Sequence, residues 1–126
     1  MTPSAPLPTI LRWSPVLAWY AVILAVSSIS GRRLDDAGIE VPDKLVHAGE
    51  YAVLGLLVVR QRAAVAPPGA ARAVAVAVAV VAVLGAVDET WQGFVPHRTP
   101  SVADWVADVV GGALGAWVAT RWFRSR

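Results

Sequence analysis

Three short polar strings carry the residue types capable of chemistry: DKLVHAGEY (43–51), DETWQ (88–92) and HRTPSVADWVAD (97–108). They hold six of the nine acidic residues, both histidines and the only lysine. An imidazole titrates near neutral pH, and a carboxylate beside it orients it for general acid–base work. His47, oriented by Asp88 or Glu89, therefore forms the candidate catalytic group. Lys44 and Arg98 are positioned to hold an anionic moiety, and Tyr51, Gln92, Asp104 and Asp108 complete a candidate binding set. On a helix Lys44, His47 and Tyr51 share one face, and Asp43, His47 and Glu50 an overlapping one. Asp88 and Gln92 are one helical turn apart, as are Asp104 and Asp108.

Two other readings of the same residues stay open. His47 with Glu89, Asp104 or Asp108 could bind a divalent metal, but no HExxH or equivalent spacing supports it. No metal site and no cofactor are assigned on spacing. Alternatively the residues form an ion-pair network that only locks helices together, since charges inside membranes routinely pair. A chain without cysteine has no thiol nucleophile, disulfide or cysteine metal site. Ser27 and Ser28 could back-bond to their own helix or face the polar cluster.

The strings lie at the ends of four apolar runs, approximately 13–30, 44–60, 71–90 and 102–120. The expected fold is all-α, an integral membrane four-helix bundle over residues 13–122. It has a disordered Pro-rich tail over 1–12 and a basic tail over 123–126. AVAVAVAVVAV (73–83) alternates with period two, but both faces are apolar, and a lone membrane strand would leave its backbone unsatisfied. Helix is expected there. Asp43 is placed to cap the second helix. Ser101, with Asp104 three residues on, forms a capping-type pattern for the fourth. Gly111, Gly112 and Gly115 fall at helical spacing and allow close helix approach. The result expected is a polar cup at one end of the bundle, open outward, above an apolar floor. Trp91, Trp105, Trp117 and Trp122 mark membrane interfaces or pack helices. Asp35, Asp36 and Glu40 belong to a solvated first loop.

Composition supports a membrane location. The 126 residues are 56% hydrophobic, and the mean hydropathy is +0.57. A net charge of +2 could suggest nucleic acid, but the basic residues flank apolar runs, so no nucleic-acid partner is expected. Arg12 before an apolar run also fits a signal peptide, but the run contains Trp and Tyr and no clear A-x-A site. With the N-terminus inside, seven basic residues lie on the inner side and four on the outer. That bias puts both termini in the cytoplasm and the polar strings outside.

The order and spacing of DK-x-x-H-x-x-x-Y-x-x-L-G (43–55), D-E-x-x-Q-x-x-x-P-x-R (88–98) and D-x-x-x-D-x-x-G (104–111) resemble the VanZ-like family of small bacterial membrane proteins. Ser27-Ser28 resembles the family's serine pair. Ile29 stands where a Gln often follows that pair, and His97 where a Gly often precedes the Arg. The resemblance implies a multi-pass protein of the bacterial cytoplasmic (inner) membrane with membrane lipid as its surroundings. The namesake is associated with low-level resistance to teicoplanin, a glycopeptide that binds cell-wall precursors at the outer membrane face. The implied ligand is a lipid-linked cell-wall precursor or another anionic envelope group. The alternatives are a structural or accessory membrane protein and a small transporter subunit. Nothing in the sequence specifies an oligomeric state.

Overall fold

The computed structural model describes residues 8–29, 38, 43–65 and 69–124. Residues 1–7 of the expected tail, nearly all of the first loop with Asp35, Asp36 and Glu40, and the last two residues lie outside that set. The elements are α1 (Thr9–Arg12), α2 (Ser14–Ser27), α3 (Asp43–Val65), α4 (Ala70–Gln92) and α5 (Val102–Arg124). The described residues contain no strand. Helical structure thus begins at Thr9, inside the stretch expected as tail. Asp43 is the first residue of α3 rather than its cap, a one-residue difference of the size that fraying helix ends produce. The helix then runs on to Val65, well beyond the expected end at 60.

The alternating stretch is helical for the reason its composition gives. In α4 the buried positions are Ala73, Ala77, Val81, Gly85, Asp88, Glu89 and Gln92, one stripe at intervals of three and four. The same stripe changes from small and apolar to acidic as it climbs the helix. Val83 and Val87 point outward.

Glycine sets the main interface, between α3 and α5. A Cβ on Gly111 would collide with the Ala48 carbonyl, one on Gly115 with the Ala52 carbonyl, and one on Gly55 with the Gly112 carbonyl. The two helices therefore touch backbone to backbone. Residue numbers rise together along this seam, so α3 and α5 are parallel. Gly85 meets Asp108 and Gly112 meets Val81, so α4 runs antiparallel to α5. Tyr20 reaches the Leu84 carbonyl at 2.8 Å and Ser27 meets Gln92 at 3.5 Å, so α2 runs with α4. Among the described residues, two helices are long and apolar enough to cross a membrane: Ala70–Gln92 and Val102–Phe123. α2 is apolar but shorter.

The seam can be tested directly. Gly115→Leu should force α3 from α5 and destabilise the protein by roughly 1–3 kcal/mol or more. Gly49, with nothing within 4 Å of an added Cβ, should accept Ala with a gain of about 0.5–1 kcal/mol. Thermal unfolding in detergent reads both.

Candidate functional site

The glycine seam brings the polar face of α3 onto the acidic residues of α5 and α4. His47 Nδ1 donates to Asp108 Oδ1 at 2.7 Å, a short charge-assisted bond. Glu89 Oε1 lies 3.8 Å from the same nitrogen. One turn up, Lys44 Nζ stands 3.6 Å from Asp104 Oδ1 at the rim, with 64% of its side chain exposed. One turn down, the Tyr51 hydroxyl donates to Asp88 Oδ2 at 3.2 Å. Its other neighbour, the Leu84 carbonyl at 3.5 Å, already accepts from Tyr20. Asp88 and Asp108 are fully buried and His47 is 2% exposed. With its Nδ1 proton held by Asp108, a neutral His47 carries its lone pair on Nε2.

The centre is buried at His47, Asp88 and Asp108. Backbone contact between α3 and α5 begins just below His47, at Ala48, and the space beside Gly85 is taken by the Asp108 carboxylate and the Trp105 ring. The centre is not saturated, however. Asp88 Oδ1, Glu89 Oε1, Asp104 Oδ1 and Asp108 Oδ2 are buried without a hydrogen-bond partner. A surface pocket of about 260 Å³, lined by Ala86, Glu89, Pro100, Ser101, Val102 and Trp105, reaches the cluster from the side between α4 and α5.

The cap of α5 departs from the expected pattern in a useful way. Ser101 Oγ accepts the Asp104 amide at 3.3 Å, as a capping residue should. In a capping box the Asp104 side chain would return to the Ser101 amide. Here that amide donates to Glu89 Oε2 at 2.8 Å. Glu89 thus ties α4 to the start of α5, and the Asp104 carboxylate is free to meet Lys44.

Of the nine candidate residues, Lys44, His47, Tyr51, Asp88, Glu89, Asp104 and Asp108 converge. Gln92 is buried but faces α2, where it donates to Ser27. Ser28 back-bonds to the Leu24 carbonyl at 2.6 Å and accepts from Trp91. Arg98, half-buried in the loop after α4, forms no ion pair with the described residues, and its Nε has no partner. Trp105 packs helices, donating to the Ala82 carbonyl at 2.9 Å. Sequence reasoning missed Tyr20 and Gly85, which support Tyr51 and Asp108. A phenol inside an apolar helix was the available signal for the first; nothing distinguished the second from any helical glycine.

Residues 9–124 match the VanZ/LLP1 family. The chain belongs to that family. No curated protein and no solved structure matches it. One departure from the VanZ-like pattern acquires a structural meaning. His97 has φ of 60°, the left-handed conformation. Glycine is at ease there, whereas a side chain is strained.

Two substitutions test this geometry. His97→Gly should be neutral or stabilising by up to about 1 kcal/mol in thermal unfolding, because it relieves the left-handed strain. Tyr51→Phe should cost about 1–3 kcal/mol by leaving Asp88 without its donor.

Proposed function

We propose that this VanZ-like chain is a multi-pass protein of the bacterial cytoplasmic membrane. Its His47 centre binds or acts on an anionic group of a lipid-linked or envelope-derived molecule. The observation that carries this reading is a buried polar cluster surrounded by exposed large apolar side chains. The interior holds His47, Asp88, Glu89, Gln92, Asp104 and Asp108, while Leu17, Val83, Val110, Leu114, Trp117 and Phe123 face outward. Within the most apolar stretch of α4 only 22% of residues are buried, and 39% in α5. A soluble core helix would hide those residues; a lipid-facing one displays them. The Lys/Arg distribution favours cytoplasmic termini, with the polar centre at the outer end.

The residues then take these roles. Asp108 holds the His47 imidazole, and Glu89 stands ready on the same side. Asp88 is steadied by Tyr51. Lys44, at the rim, and Arg98, in the loop after α4, attract the anionic group, and Asp104 positions Lys44. The lateral pocket beside Glu89 gives a lipid-borne molecule a path that does not cross water. Unpaired carboxylate oxygens favour a working site over a packing network, because a network built for stability satisfies its buried polar atoms. A lipid-linked wall precursor has the required chemistry, and a link to teicoplanin resistance follows from the namesake.

A cysteine introduced at residue 65 tests the topology, since the chain has no native cysteine to interfere. It should be labelled only from the cytoplasmic side; labelling from outside overturns the orientation. Glu89→Gln tests the site. The new amide oxygen can still accept the Ser101 amide, so melting in detergent should stay within about 1 kcal/mol of the parent. Any teicoplanin tolerance conferred on an expressing host should nevertheless be lost. A parallel loss of stability of roughly 3–5 kcal/mol would identify a packing network instead.

A further inference from the structure

Among the described residues, the buried centre has too little positive charge for its carboxylates. Asp88, Glu89 and Asp108 surround one imidazole, and each carries a buried oxygen without a hydrogen-bond partner. Lys44 is spent at the rim on Asp104, and Arg98 makes no ion pair with the described residues. Carboxylates taken out of water this way require a counter-charge, supplied by bound protons or by a cation.

The donors are arranged for the cation. One ligand atom each from His47, Asp88 and Asp108 lies within 4.8 Å of the others. Ligands about 2.1 Å from a metal sit about 3–4 Å apart, so side-chain rotations that bring the donor atoms about 1 Å closer close the set. The three come from three different helices, and Tyr51 fixes the Asp88 carboxylate as an outer partner does at metal sites. One imidazole with carboxylate oxygens and no thiolate suits a divalent transition ion such as Mn²⁺ or Zn²⁺.

We propose that His47, Asp88 and Asp108 bind a divalent metal ion, beside Glu89 Oε1, which lies 3.8 Å from His47 Nδ1. A second triad, Asp43, His47 and Asp104, shares the histidine. It is the weaker candidate, because Asp43 is exposed and Asp104 already faces Lys44. The ion resolves a difficulty in the proposed function, on which this assignment of its role rests. An acidic centre repels an anionic group, whereas a bound cation attracts one and completes what Lys44 and Arg98 begin.

The test uses the full chain in detergent, stripped with EDTA and dialysed. Mn²⁺ is titrated in and free Mn²⁺ is read by electron paramagnetic resonance, with Zn²⁺ as competitor. We expect one ion per chain, a raised melting temperature, and binding at least about tenfold weaker in Asp88→Asn and Asp108→Asn. Asp43→Asn should bind as the parent does. A folded parent protein that takes up neither ion overturns the proposal, because protons then balance the charge. Loss of binding in Asp43→Asn with retention in Asp88→Asn overturns it in favour of the rim triad. Because binding is read on the parent chain, a variant that fails to fold does not decide the result. Metal binding by a chain whose Glu89→Gln variant keeps its cellular phenotype would sink the proposed function and leave the metal site standing. The reverse pattern would do the opposite.

Discussion

Everything polar in this protein depends on how closely α3 can approach α5. Side chains on both helices would hold their axes roughly 8–10 Å apart. With Gly111, Gly112 and Gly115 set against Ala48, Ala52 and Gly55, the backbones themselves make the contact. That proximity lets His47 reach Asp108 at 2.7 Å. It also removes water from a bond between two ionisable groups, which strengthens it and makes every unpaired neighbour costly. The glycines are thus part of the site, although none of them can do chemistry.

α4 contributes the other half of the centre by a different device. Its inward stripe is built from Ala73, Ala77, Val81 and Gly85 below, then Asp88 and Glu89 above. The small residues let the helix lie close; the acids then enter a space already dry. Glu89 has two tasks on its two oxygens. One holds the Ser101 amide at the start of α5, and the other is turned toward His47. A contact that would ordinarily be a local cap has become a tie between helices, and it releases Asp104 from its own helix end.

Much of this arrangement could be read from residue spacing. Helical periodicity put Lys44, His47 and Tyr51 on one face; His47 and Tyr51 point inward, and Lys44 stands at the rim. The small-residue run in α5 marked the close contact. The limits were those of local reasoning. The sequence nominated Asp88 or Glu89 to orient His47, whereas Asp108 does so, because the choice among carboxylates depends on helix rotation and offset. Gln92 shares a face with Asp88, yet it turns to α2, since a buried amide needs a partner and Ser27 offers one. The depth of burial is likewise beyond a spacing rule: how far His47, Asp88 and Asp108 are covered depends on backbone separation, which sequence spacing does not report.

The pairing of parallel helices with a third between them in sequence has a consequence for biosynthesis. His47 and Asp108 are 61 residues apart. A ribosome adding about 5–20 residues per second makes α3 several seconds before α5. Throughout that interval the polar face of α3 has no permanent cover, and Asp88 and Glu89 arrive before Asp108 does. α5 is the latest of the described helices to emerge, and it seals the centre. A nascent chain of this kind must be sheltered until α5 is complete, so a stop codon shortly before residue 102 would leave a protein that is not a smaller version of itself but an exposed cluster of acids.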